Sequence, residues 1–117
     1  MGRRGLFFIL EPVRLIRIQL SREMRIVKAT SVVQVENERV IVTEWRFVAG
    51  AQTGHHVHAH DYVVVPLTSG TLRLEEPGGV RDAALTAGVS YARPAGVSHN
   101  VINANDHEFR FVEVELK

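Results

Sequence analysis

The feature that most constrains the fold of this chain is a two-residue period of apolar side chains, which recurs in several short segments. Residues 109–116 (FRFVEVEL) alternate apolar and polar positions, and residues 39–48 (RVIVTEWRFV) are rich in β-branched and aromatic side chains. Successive side chains of a β-strand point to opposite faces, and these residue types favour strands. The pattern predicts strands in both segments, and shorter ones at residues 62–67, 71–76, 80–85, 90–94 and 98–103.

Turn residues separate these segments at short intervals. Clusters that contain Gly, Pro, Asn, Asp or Ser occur at residues 49–54, 68–70, 77–79, 86–88, 94–96 and 103–107. Many short strands divided by turns, with almost no helical period, are typical of an antiparallel sandwich or barrel. We therefore predict one all-β domain, since 117 residues do not hold a second core. The less regular stretch at residues 6–35 is compatible with edge strands, including strands exchanged with a partner subunit.

Charge and composition limit the possible partners. Residues 1–28 contain seven Lys and Arg against two Glu, a balance of +5, whereas the remainder sums to −4. We interpret residues 1–24 as a basic N-terminal leader, either disordered or an edge strand, and residues 25–117 as the barrel domain. The basic residues are not interleaved with aromatic side chains, so we expect no nucleic-acid partner. The chain has no cysteine, which excludes disulfides and thiolate metal sites.

No segment has the length of a targeting or membrane-spanning sequence. The apolar run at residues 6–10 is shorter than the roughly 7–15 residues of a signal-peptide core. No run approaches the roughly 18 apolar residues of a spanning helix. We therefore expect a cytoplasmic protein without a membrane partner.

Four of the six histidines fall within TGHHVHAHDY, residues 53–62. His56 and His58 would share one face of a strand, and imidazole nitrogens bind divalent metals at about 2.0–2.1 Å. A third ligand would have to come from another strand, where His99, in PAGVSHN, is a candidate. Taken alone, such a cluster is equally compatible with an exposed turn.

The spacing around these histidines resembles the two motifs of the cupin superfamily. The first is Gly50, five residues, His56, one residue, His58, four residues, position 63, six residues and Gly70. The second is formed by Gly88, Pro94, Gly96, His99 and Asn103. The resemblance covers residues 40–116 and implies a cupin or jelly-roll fold, a double-stranded β-helix barrel.

The resemblance also implies a metal site with His56, His58 and His99 as ligands. Metal-binding cupins usually carry a glutamate as a fourth ligand at the position of Val63, so the implied set here is three neutral histidines. The implied cofactor is a divalent transition metal, which could be Fe, Mn, Ni, Co or Zn. Asp61 shares a face with Val63 in a regular strand and could replace the glutamate, although an Asp near a loop more often caps a turn.

Two functions stay open at this point. One is a metal-dependent enzyme, of dioxygenase or isomerase type, that acts on a small carboxylate or amine-derived metabolite; His60 and Asp61 are then candidate catalytic acids or bases. The other is a non-catalytic cupin that binds a small molecule or regulates. The segment HAHDYVVVPLTSGTL resembles small bacterial cupins linked to amine catabolism, including β-alanine degradation, and such cupins are commonly homodimers.

Other polar and aromatic residues have positions that the pattern does not settle. Glu44 and Glu113 lie in predicted strands that could cross the barrel, and the alternation does not decide which face each occupies. Four further side chains could line the mouth of a pocket or simply pack: Trp45, Tyr62, Tyr91 and Arg93.

Overall fold

The structure is a computed structural model that describes residues 26–117. Across this range the chain forms nine strands and no helix: β1 (Thr30–Glu36), β2 (Val40–Phe47), β3 (His56–Val57), β4 (Asp61–Pro66), β5 (Gly70–Glu76), β6 (Gly79–Leu85), β7 (Tyr91–Arg93), β8 (Ser98–Asn103) and β9 (Phe109–Leu116). The interpretation of residues 1–24 as a leader lies outside the described residues. The part of the chain that is described contains no helix long and apolar enough to cross a membrane.

The strands form two sheets that enclose one core. The first sheet has the order β1-β2-β9-β4-β7 and the second has the order β3-β8-β5-β6. Every pair of neighbouring strands is antiparallel, and most pairs join strands that are distant in sequence, such as β2 with β9. This arrangement is the jelly-roll barrel that the sequence predicts. The bounds of the seven strands predicted individually agree with the observed ones to within one residue, whereas β1 and β3 had no predicted bounds.

Aromatic side chains fill the core at one end of the β2–β9 pair. Phe47 lies opposite Phe109 in the register, and both are completely buried. The Phe47 ring also packs against Phe111, with 5.5 Å between ring centroids. Burial of each such side chain contributes about 1.5–3 kcal/mol to folding. Two steps further along the same face, Thr43 lies opposite Glu113, so the inner surface changes from apolar to polar.

The turn between β7 and β8 holds the histidine segment in place. Gly96 has a φ of 92°, which a residue without a Cβ adopts readily, and its N–H donates to the carbonyl of His58 at 2.8 Å. The N–H of His58 in turn donates to the carbonyl of Val97 at 2.8 Å. These bonds extend the chain's pairing beyond β3, which is only two residues long. His56 and His58 are therefore fixed even though they do not share one regular strand.

Asn103, from the second motif, holds a turn rather than contacting the pocket. Its side chain is almost fully buried, and Nδ2 lies 2.8 Å from the carbonyl oxygen of His107 and 3.1 Å from that of Phe47. Its Oδ1 accepts a hydrogen bond from the N–H of Asn105 at 2.9 Å. The amide thereby satisfies backbone groups of two separate loops that would otherwise be buried without partners.

Candidate metal centre and its pocket

Three imidazole rings converge at one end of the second sheet. His56 lies opposite His99 in the pairing of β3 with β8, and His58 follows directly after β3. The Nε2 atom of His58 is 3.1 Å from Nε2 of His56 and 3.1 Å from Nε2 of His99. The three residues form a group whose nitrogens could hold one metal ion.

The separation of these nitrogens is what a shared ion would require. Two nitrogens that lie about 2.1 Å from one ion are about 3.0 Å apart at a right angle and about 3.4 Å apart at the tetrahedral angle. The two observed distances of 3.1 Å match the right angle better. The three nitrogens could therefore hold one metal ion, and a set of only three protein donors would leave room for ligands from outside the chain.

Hydrogen bonding fixes the orientation of His56. Its Nδ1 lies 2.9 Å from the carbonyl oxygen of Gly54, so this nitrogen donates its proton and Nε2 keeps its lone pair. The Gly54 N–H donates to Oδ1 of Asn100 at 2.9 Å, and Asn100 Nδ2 donates to Glu75 at 2.9 Å. Outer hydrogen bonds of this kind orient metal-binding histidines in proteins.

Burial keeps the other two imidazoles neutral. Removal from water, with smaller effects of His56 and Arg93, lowers the pKa of His58 from 6.5 to about 4. Removal from water is also the main cause that lowers the pKa of His99 from 6.5 to about 4. The charges of His56, His58 and Arg93 lower this pKa further, by smaller amounts. A neutral imidazole is the form that binds a metal, so both side chains are ready for coordination at neutral pH.

Tyr62, and not Val63, is the residue of β4 that faces the histidines. Its ring stacks on that of His58, with 3.8 Å between centroids and 14° between planes. Tyr62 and Val64 are buried in the core, whereas Val63 lies on the opposite face of β4 and is half-exposed. The prediction that position 63 lies beside the metal site is wrong, because the loop after His58 places the inward face of β4 one residue earlier.

A pocket opens beside the triad. Its walls include Trp45, His56, Tyr62, Tyr91, Arg93, His99 and Glu113. The region that can hold the centre of a water molecule measures about 30 Å³, and about 10–15 Å³ suffices for one water. The pocket is thus narrow, of a size suited to a ligand with few atoms. All four of the residues proposed for a pocket mouth line it.

Glu113 is a buried carboxyl group in the wall of this pocket. Only 9% of the residue is exposed. Burial, with a smaller effect of Glu115, raises the pKa of Glu113 from 4.5 to about 7. The carboxylate oxygens of Glu113 and Glu115 and a ring nitrogen of His58 lie close enough together to form a second group that could hold a metal ion. Strand parity alone could not show that this glutamate faces the interior.

Glu44 faces the other way. It accepts hydrogen bonds from Arg110, lies 3.4 Å from Nε of Arg46, and is covered by Gln34 of β1. The hydrogen bond from Arg110 is the main cause that lowers the pKa of Glu44, ahead of the charge effects of Arg110 and Arg46. The two glutamates of the β2–β9 pair therefore occupy opposite faces and opposite electrostatic environments.

The structure does not bring His60 or Asp61 to the pocket wall. His60 lies in the bend before β4, and neither residue is among those that line the pocket. Oδ1 of Asp61 accepts a hydrogen bond from the N–H of Ala95 at 2.8 Å, which is the turn-holding role. Their catalytic participation stays a prediction.

The two remaining histidines are exposed and have their own partners. Nε2 of His55 lies 2.8 Å from Oγ of Ser98, and Nδ1 of His107 donates to the carbonyl of Glu108 at 2.9 Å. Both side chains lie outside the triad.

The fold and the histidine triad define a small cupin, and comparison with known proteins shows the family. The cupin domain family matches residues 43–115, and the chain belongs to it. It is 64% identical to the β-alanine degradation protein BauB of Pseudomonas aeruginosa over 77% of this chain and 95% of that protein.

Solved structures agree with this assignment. A cupin domain from Bordetella pertussis is 58% identical, with a TM-score of 0.78 over 80% of this chain and 97% of that one. The polyketide cyclase RemF from Streptomyces resistomycificus shares the fold at a TM-score of 0.63 and 20% identity, over 79% of this chain and 69% of its own.

Proposed function

We propose that the protein binds a divalent transition metal through His56, His58 and His99 and acts with it on a small carboxylate or amine-derived metabolite. The observation that carries the proposal is the convergence of three Nε2 atoms, two of the distances being 3.1 Å, beside a narrow pocket that His56 and His99 line. The likeness to a β-alanine degradation protein supports a role in the breakdown of β-alanine or a related compound.

The donor set favours a metal that keeps open positions. Three neutral nitrogens suit Fe, Mn, Ni, Co or Zn, and such an ion would supply Lewis-acid chemistry or oxygen binding of the dioxygenase or isomerase type. The chain's own residues provide the rest. Tyr62 covers one face of His58 and excludes water from it, and His56 is oriented by Gly54.

Metal content tests the ligand assignment. Protein purified without a histidine tag or added metal should contain a near-stoichiometric transition metal by elemental analysis. His56→Ala, His58→Ala and His99→Ala should each lose most of it, because each removes one of three donors. His55→Ala and His107→Ala are matched controls that should retain it. Equal losses in all five variants would disprove the site.

Turnover separates the enzyme from the binding module. The metal-loaded protein should convert a short carboxylate or amine in a reaction that the His99→Ala variant does not support. A protein that takes up no metal even on reconstitution, yet still binds a small ligand, would instead be a non-catalytic cupin.

We also propose that the protein is a homodimer that uses β1. This edge strand is exposed along its whole length, and Val32, Val33 and Val35 are 59%, 56% and 46% exposed. An apolar sheet edge of this kind is typical of a surface that a partner covers. Light scattering should give twice the mass of the 13.1 kDa chain, and Val33→Lys should lower it. A monomer mass for the unaltered protein would contradict this.

A further inference from the structure

Two side chains of opposite charge reach the pocket from different strands. Arg93 lies at the end of β7 and Glu113 lies in β9, with β4 between them. Neither is the other's partner. Arg93 is 3.5 Å from Glu76, whereas no cation and no hydrogen-bond donor among residues 26–117 engages the carboxyl group of Glu113.

The separation of these positions suits a short ligand. Arg93 lies opposite Tyr62 in the register, and Glu113 lies opposite Val64, two residues further along β4. Two strand spacings together with two residues along a strand put the Cα atoms roughly 12 Å apart. Both residues line the same narrow pocket, so a ligand that contacts both charged groups there would have to be short.

Tyr62 adds an unsatisfied group between the two charges. Its hydroxyl is buried and has no hydrogen-bond partner within the described part of the chain. Buried hydroxyls are nearly always paired with protein or water, so an unpaired one in a pocket wall indicates a place where a ligand or an ordered water completes the bonding.

We propose that the pocket binds a short zwitterion, with its carboxylate at Arg93 and its ammonium group at Glu113, beside the histidine triad. This rests on the proposed function in one respect, that the pocket is the ligand site. The guanidinium of Arg93 matches a carboxylate, and a buried carboxylate without a cation gains most from a ligand that brings one. The class includes ω-amino acids, so the protein would act on a metabolite that still carries its nitrogen.

Trp45 provides the measurement. It is the single tryptophan of the chain and lines the pocket, so its fluorescence should report an occupant. Three probes with the same three-carbon chain separate the charges: 3-aminopropanoate carries both, propanoate only the carboxylate, and propylamine only the ammonium. At pH 8, purified protein should bind 3-aminopropanoate about tenfold or more tightly than either of the others, by fluorescence and by calorimetry.

Variants assign each charge to its residue. Glu113→Gln should abolish the preference for 3-aminopropanoate over propanoate, and Arg93→Met should abolish the preference over propylamine. Arg93→Lys, which keeps the charge, should retain part of the preference over propylamine. Glu44→Gln is the matched control, because Glu44 is an equally buried glutamate on the outer face of the same strand pair, and it should leave the selectivity unchanged.

The outcomes are distinct from those of the metal test. Equal affinity for 3-aminopropanoate and propanoate, a preference that survives in Glu113→Gln, or no binding of any probe would each overturn the zwitterion assignment. None of these results would alter the metal content of the histidine variants, on which the proposed function depends.

Discussion

The two walls of the pocket are built in different ways. On the β3–β8 side, the imidazoles lie against one another, and His56 is held by a hydrogen bond to Gly54. On the β4–β9 side, the Tyr62 hydroxyl and the Glu113 carboxyl group have no partner in the described residues. The first wall offers three neutral imidazoles to an ion, although Nδ1 of His99 is itself buried without a hydrogen-bond partner in the described residues. The second wall is complete only when something else supplies a charge or a hydrogen bond.

The largest predicted effect is a difference in metal affinity between variants of the two walls. His58→Ala should weaken metal binding by more than about 100-fold, since even the outer hydrogen-bond partners of metal ligands contribute about 10- to 100-fold. Glu113→Gln should change it far less. Competition with a chelator of known affinity measures both. Similar losses in the two variants would make Glu113 a ligand and erase the distinction between the walls.

The stability of the metal-free protein should respond to pH with opposite signs on the two walls. The folded pKa values of His58 and His99 are lowered to about 4, so their contribution is present above pH 6.5 and is lost as the pH falls towards 4. The folded pKa of Glu113 is raised to about 7, so its contribution is present below pH 4.5 and is lost as the pH rises through 7.

Glu113→Gln isolates the second of these effects. The variant should unfold with about the same free energy as the unaltered protein at pH 4.5 and should be more stable at pH 7.5, by up to about 3 kcal/mol. Urea unfolding with a chelator present at both pH values measures the difference. A variant that is less stable at pH 7.5 would show that the carboxylate has a favourable partner in the folded protein.

Tyr62→Phe should have a smaller effect. Because the hydroxyl makes no hydrogen bond to the described residues, its removal should leave the free energy of unfolding unchanged or raise it by up to about 1 kcal/mol. The stacking of the ring on His58 is kept. Thermal unfolding without ligand checks this, and a loss of more than about 1 kcal/mol would mean that a bound water satisfies the group.

An effect of similarly small size is expected on the outer face of β4. Asp61→Ala removes an exposed hydrogen bond to Ala95, which should cost about 0.5–1 kcal/mol and leave metal content unchanged. The same variant tests the predicted catalytic role. Full turnover would exclude it, whereas lost turnover in a protein of normal stability and metal content would support it.

The fold could be read from the sequence because its signals are local. The alternation in FRFVEVEL and the turn glycines, such as Gly96, each dictate structure within a few residues. The resemblance to the cupin motifs named the three histidines, and the structure brings them together. These features depend on spacing, which a sequence displays directly.

The β4–β9 wall of the pocket could not be predicted from the sequence in this way. Glu113 lies between two valines and Glu44 between Thr43 and Trp45, and neither pattern decides the face. Only the three-dimensional register shows that Glu44 faces Arg110 and Glu113 the pocket. The wrong prediction that Val63 rather than Tyr62 faces the histidines has a similar origin. The loop after the two-residue β3 decides which residues of β4 point inward, and its path depends on contacts with Gly96 and Val97.

The pairing of His56 with His99 also determines when the site can exist. His58 and His99 are 41 positions apart, and their meeting requires β3 to dock on β8. Contacts of such separation form late in folding, because the intervening chain must first be ordered. If the protein binds a metal as proposed, an ion would therefore find its three ligands together only after the barrel closes. Once bound, the ion links two distant segments, and at 100 times its dissociation constant it would hold the native state by about 2.7 kcal/mol.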